Sequence, residues 1–261
     1  MTIYLRGITI LLLLGIGEPL LAQLESFNRY FIWNPDSTAI YESPDLNSSE
    51  VIRLPYGTEV VRLDVLPESE LTIMIGELDG TPDRPERLGG YTIQTFWVQV
   101  KYGDYRGYAL NAEVINFPPS KLNDWAFFQL DPKELESSFG MKSKRYKTTK
   151  SIKWKNWDGY YEVKVDSLVF ADGSYHVTEY FDGCFNRTYY YSGKSLDQVY
   201  YLMITNYYSR ILLPDGSSSA SFPRLKDIEP GKLLFHQIEA HEDLFLDFSK
   251  AKITFGSIDC T

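Results

Sequence analysis

The 261-residue sequence predicts a mainly β protein: a small β-barrel followed by an antiparallel β-rich, α+β unit with one short helix. Three observations carry that expectation. Val98 and Val100 alternate with Trp97 and Gln99, the Gly103-Asp104 pair supplies a tight turn, and residues 105–110 make a returning strand. Two Asp-Gly turns, at Asp172-Gly173 and Asp182-Gly183, divide residues 161–191 into three alternating passes. Only residues 130–140 carry helix signals at both ends.

The N-terminus holds one positive charge at Arg6, an apolar run from Ile8 to Ile16, and Ala22 at a cut site after Glu18-Pro19. That pattern predicts a secretory signal peptide over residues 1–22. The run is too short to span a membrane, and no other stretch is long and apolar enough, so no membrane span is expected.

The barrel is predicted over residues 36–117. It opens with Ala39-Ile40-Tyr41-Glu42-Ser43-Pro44, continues through Asn47-Ser48-Ser49 and Val51-Ile52-Arg53-Leu54, and turns at Tyr56-Gly57 into a strand holding Val60 and Val61. It closes with Trp97-Val98-Gln99-Val100, a turn, and Gly107-Tyr108. These two ends resemble the start and the closing Trp hairpin of bacterial SH3 (SH3b) domains. The resemblance implies an SH3-like barrel that docks a cell-envelope component, either a peptidoglycan peptide or glycan or an envelope protein. It places Trp97 at the family's hairpin Trp, either as core or as a ligand contact, and makes Tyr41, Tyr102, Tyr105 and Tyr108 the expected binding surface. Gly107 is read as a bend where a side chain would crowd the barrel. Residues 64–91 depart from the family: Leu71, Ile73 and Ile75 alternate, then a charged Pro/Arg/Glu tract runs from Thr81 to Arg87, predicting an inserted strand or hairpin with a charged tip.

Pro118-Pro119-Ser120 reads as a linker into a second unit at residues 122–261. Its helix is predicted from Asp131 as cap, Pro132 in the first turn, Glu134 reaching back, Leu130 stapling onto Leu135, and Gly140 as stop. Beyond the meander, strands are expected at residues 200–213, 233–238, 244–248 and 252–258, with an exposed turn at Asp215–Ser219. Twelve of the twenty tyrosines lie from Tyr146 onward. On strands, neighbours such as Tyr189-Tyr190-Tyr191 and Tyr200-Tyr201 point to opposite faces, so some rings reach the surface. Such rings suit recognition of carbohydrate, peptide or protein, or serve simply as strand formers with wet hydroxyls.

Lys and Arg number 26 against 35 Asp and Glu, a net charge of −9, and removing residues 1–22 takes out one charge of each sign. Such an acidic chain lacks the cationic footprint that nucleic acid requires. One exception is the run Lys142 to Lys155, a solvated strand or loop by default and a basic patch able to meet an acidic partner. Cys184 and Cys260 read as one disulfide in an exported protein, the alternative being two free thiols.

Motifs for catalysis are weak. The Gly183-Cys184 segment faintly resembles the Gly-Cys neighbourhood of L,D-transpeptidases, but Asp182 stands where that family needs Ser or Thr, and His176 has no following Gly. The Asp-Cys-Ser-Gly motif of NlpC/P60 peptidases is absent. His236, Glu239, His241 and Glu242 lack the His-Glu-x-x-His spacing, so no metal is expected, and no phosphate loop or other cofactor signal is present. The expectation is an exported, non-catalytic binding protein. Alternatives are a cell-wall hydrolase with catalytic carboxylates in the second unit, which needs no local motif, and a structural subunit of an envelope complex.

Overall fold

The computed structural model describes residues 29–78, 89–122, 127–128, 132–153, 160–207, 209–212, 218–237 and 242–260. The expected signal peptide, the Thr81–Arg87 tip, the Asp131 cap with its Leu130 staple, the start of the Asp215–Ser219 turn, Glu239 and His241 lie outside those residues.

The first half forms strands β1 (Tyr30–Ile32), β2 (Thr38–Tyr41), β3 (Glu50–Leu54), β4 (Glu59–Leu78), β5 (Gly89–Tyr102), β6 (Tyr105–Leu110) and β7 (Val114–Ile115). They make one antiparallel sheet in the order β3-β2-β6-β5-β4-β1-β7. β6 and β7 stand four strand spacings apart in that order, roughly 19 Å in a flat sheet. Only the 3-10 turn Asn111–Glu113 joins them, and three such residues rise about 6 Å. The sheet therefore rolls, bringing its ends together without closing. Ile32, Ile40, Leu54, Val60, Val98, Val100, Ala109 and Val114 fill the roll. β1, at Tyr30–Ile32, precedes the predicted barrel start; it pairs with β4 on one side and β7 on the other.

The expected insertion is an extension of the β4–β5 hairpin, whose ladder runs from Val61–Lys101 to Leu78–Gly89 with three register shifts. Ile75 and Ile93 of this arm are buried among residues of the second half.

The second half contains β8 (Lys121–Leu122), β9 (Phe127–Phe128), α1 (Pro132–Phe139), β10 (Ser143–Lys153), β11 (Tyr160–Phe170), β12 (Tyr175–Phe181), β13 (Cys184–Tyr190), α2 (Leu196–Asn206), β14 (Ser209–Leu212), β15 (Ser218–Ser221), β16 (Arg224–Glu229), β17 (Lys232–Gln237), β18 (Glu242–Asp247) and β19 (Thr254–Cys260). Eight strands form an antiparallel sheet ordered β10-β11-β12-β13-β19-β18-β17-β16. The meander appears as predicted. Asp182 and Gly183 both take positive φ, 43° and 79°, as a two-residue hairpin turn matching strand twist requires.

α1 also forms as predicted. Leu135 buries its apolar side, and beyond the helix the Gly140 N–H donates to Glu136 O at 2.9 Å and the Met141 N–H to Leu135 O at 3.1 Å. Glu134 pairs with Lys121.

The strand expected over residues 200–213 forms only at its end, as β14; Leu196–Asn206 is a helix, so the fold has two helices where one was expected. Val199, Tyr200, Leu202, Met203 and Ile204 are buried in the core between the sheets, and that burial overrides the strand preference of Tyr200-Tyr201. The same core joins Phe31, Trp33, Ile115 and Phe117 to Phe170, Tyr191, Leu233, Phe235, Leu244, Leu246 and Phe255. The segment read as a linker is packed. Trp33 Nε1 donates to Phe117 O at 2.9 Å, and the Tyr56 hydroxyl to Ser120 O at 3.2 Å.

Candidate functional site

The predicted barrel residues do not share one surface. Register pairs Gln99 with Tyr108, Tyr108 with Tyr41, and Tyr102 with Tyr105. Alternation therefore places Tyr41, Tyr108 and Trp97 on one face of the sheet, and Tyr102 and Tyr105 on the other with Val98 and Val100. Trp97 is 1% exposed and packs edge-on against Tyr41, with ring centroids 5.6 Å apart. Of the two roles open to Trp97, core or contact, its burial under Tyr41 and the surrounding chain fits the core. Tyr102 and Tyr105 are exposed, Tyr105 at 51%. Gly107 is where crowding was expected, since a Cβ there would lie 2.4 Å from the Tyr41 carbonyl oxygen.

A buried polar seam ties α2 to the first sheet. Asp197 accepts from Thr95 Oγ1 at 2.7 Å, from Asn111 Nδ2 at 2.9 Å and from Ser195. Gln198 Nε2 donates to Val114 O at 3.2 Å, and Thr205 Oγ1 to Trp33 O at 2.8 Å. Glu113 accepts from Asn34 Nδ2 and from the Tyr201 hydroxyl, each at 3.1 Å. Burial raises the Glu113 carboxyl above its usual range, and these donors oppose the shift. The seam engages its acids with fixed neighbours. It reads as a tertiary clamp that the sequence alone did not reveal.

The free corner of the eight-stranded sheet is different. Past Phe170, Leu168 and His176, the strands β10, β11 and β12 run beyond the core, and every residue of β10 from Lys144 to Lys153 is exposed. Ile152, Tyr160 at 68%, Tyr146 and Tyr180 show apolar or aromatic surface to solvent. Pairing of Ile152 with Tyr161, Glu179 with Asn186, and Phe181 with Cys184 puts these side chains on the face turned away from the core. There, Ile152, Tyr161, Val163, Glu179, Phe181 and Asn186 line a groove of about 300 Å³. Asn186 Oδ1 is buried beside it with no partner among the described residues. On the opposite face Lys147, Thr149, Lys164, Asp166 and Tyr180 line a second, more open groove of about 540 Å³.

Charges stiffen this flap. Arg145 holds Asp166 with two bonds of 2.8 and 2.6 Å, which lowers the Asp166 carboxyl below its usual range. Lys150 meets Glu179 at 2.5 Å. The Cys184–Cys260 disulfide pins the same corner from β13 to β19, as one of the two sequence readings expected. A bonded Cys184 offers no thiolate, which removes the nucleophile that a cysteine enzyme needs. His236 lies 3.4 Å from Asp243, and no cluster of three or more metal-ligating side chains occurs among the described residues. No helix of the described residues is long and apolar enough to cross a membrane. Comparison of the chain with models of protein families, with curated proteins and with solved structures gives no match.

Proposed function

We propose that this chain is an exported, non-catalytic binding protein of the cell envelope, and that its ligand surface is the β10–β13 flap. The observation that carries the reading is a sheet corner with an exposed edge strand and a groove on each face. A corner that is braced by ion pairs and a disulfide and shows Tyr146, Tyr160 and Tyr180 to solvent calls for a role outside the core. Tyr161 and Phe181 offer ring faces, with Glu179 and Asn186 beside them as polar groups. That chemistry suits a sugar ring and its hydroxyls, or a short wall peptide. The disulfide fits an oxidising compartment, which supports export.

The rolled first sheet supports the SH3-like reading of residues 36–117. Its strand β2, the Pro44-containing turn, β3, the Gly57 turn, β4 and the β5–β6 hairpin follow in the order the resemblance implies. Its exposed Tyr102–Tyr105 pair is the remaining place where that unit would meet an envelope component.

Sedimentation of the full mature chain with insoluble peptidoglycan tests both surfaces. The expected result is binding with no released fragments, loss of most bound protein in the Tyr161→Ala, Phe181→Ala double variant, and retention in Tyr105→Ala, Tyr108→Ala. Loss only in the second variant moves the site to the first sheet. Released muropeptides would replace the binding reading with a hydrolase.

A further inference from the structure

We propose that the outer edge of β10 is a docking strand for an extended acidic peptide of a partner protein, which joins the eight-stranded sheet as a ninth strand. The inference does not rest on the groove ligand, because it uses the strand's backbone edge.

The two edges of this sheet are treated differently by the fold. At β16, Leu225 is buried against the hairpin arm, where a Cβ on Gly76 would come within 2.9 Å of the Leu225 Cβ. That edge is covered by the chain itself. β10 pairs only with β11, and no described segment lies along its other side. An open edge of eleven residues is a template for another strand, and proteins usually shorten, twist or cover such edges.

Its hydrogen-bonding phase can be read. The Ala171 N–H donates to Lys142 O at 2.9 Å, one step beyond the Ser143–Phe170 pair in the same register. Antiparallel pairs alternate between bonded and unbonded. Lys144, Tyr146, Thr148 and Lys150 therefore bond to β11, while the backbone groups of Arg145, Lys147, Thr149, Ser151 and Lys153 face outward.

Charge selects the occupant. β10 carries Lys144, Arg145, Lys147, Lys150 and Lys153 and no carboxylate, within a chain of net charge −9. Across β10, β11 and β12, six cations outnumber three carboxylates, even with Arg145 and Lys150 engaged by Asp166 and Glu179. A second copy docking through the same edge would oppose cation to cation across the new ladder, which is destabilising. A strand that alternates acidic residues with β-branched ones gains both the backbone bonds and the cross-strand charge pairs. The lysines thus block self-pairing and admit an acidic partner.

The test uses the full mature chain and a fluorescent peptide of about ten residues, a strand-length probe alternating Glu with Val or Thr. Binding is read by anisotropy at about 0.15 M salt. Dextran sulfate serves as a polyanion without a peptide backbone. The double variant Thr149→Pro, Ser151→Pro removes two outward N–H groups, leaves the β10–β11 bonds and keeps every charge. It is expected to weaken peptide binding about tenfold or more while dextran sulfate binding and circular dichroism stay unchanged. Equal peptide binding by both proteins, or no peptide binding by the parent, overturns the proposal. Should the proline variant fail to fold, Lys147→Glu with Lys153→Glu retains the outward N–H groups and is expected to switch preference to a Lys-Val peptide. Failure to switch overturns it equally.

Discussion

His176 illustrates how the burial of a single side chain sets a pH response. Its ring sits among Phe117, Phe170, Tyr189 and Tyr191, at centroid distances between 4.7 and 6.3 Å. Burial lowers its pKa from 6.5 to about 3. The folded-state value is depressed, so between about 6.5 and 3 the unfolded chain binds a proton that the native chain does not. The stability contributed by neutral His176 is full above pH 6.5 and falls as the pH drops, at up to about 1.4 kcal/mol per unit. Asp166, lowered by Arg145, loses its contribution only at more acid pH. Glu113, raised by burial, acts in the opposite sense and weakens the fold as pH rises through its elevated value. Relative to His176→Phe, the parent is therefore expected to lose stability in urea unfolding between about pH 6.5 and 5, the variant showing a flatter limb. An unchanged limb would mean that His176 in the folded chain titrates near its ordinary value.

At the level of elements, what could be read in advance depended on how many sides of a segment are buried. The meander β11–β13 was legible because alternation and Asp-Gly turns are local signals, and α1 because one apolar side and its terminal residues mark it. α2 was not. It is buried nearly all round, from Asp197 to Thr205, which erases the two-sided pattern, and its tyrosines favour strand. The three residues of β1 are too few to carry a period. The flap grooves also escaped detection, because they arise from pairing among four strands, whereas the tyrosines around the β5–β6 turn, close in sequence, split between two faces. α2 holds its place through Asp197, and Asp197→Ala strands the Thr95 and Asn111 donors in a site 2% exposed. The expected loss is about 2–4 kcal/mol in urea unfolding, with Asp197→Asn falling between. A loss below about 1 kcal/mol would show that the seam relaxes around water and does not position the helix.

For the whole molecule, the core decides whether the two sheets act as independent bodies. Phe31, Trp33, Ile75 and Ile93 share one continuous apolar cluster with α2 and the eight-stranded sheet, and Phe117 packs on Phe170 and Tyr191 at 5.4 and 4.6 Å. Separating the halves would expose these rings together with the Asp197 seam. Both terms favour a single cooperative unit over two that melt apart. The disulfide acts differently, because it joins neighbouring strands 76 residues apart within the second half and restricts chiefly the unfolded chain. Loop closure of that length corresponds to about 4.5 kcal/mol, and observed effects commonly fall below this. Calorimetry of the mature chain is expected to give one transition, which reduction shifts to lower temperature without dividing. The Cys184→Ser, Cys260→Ser variant should reproduce that shift. Two resolved transitions in the oxidised protein would mean that the shared cluster contributes less than either sheet's own packing.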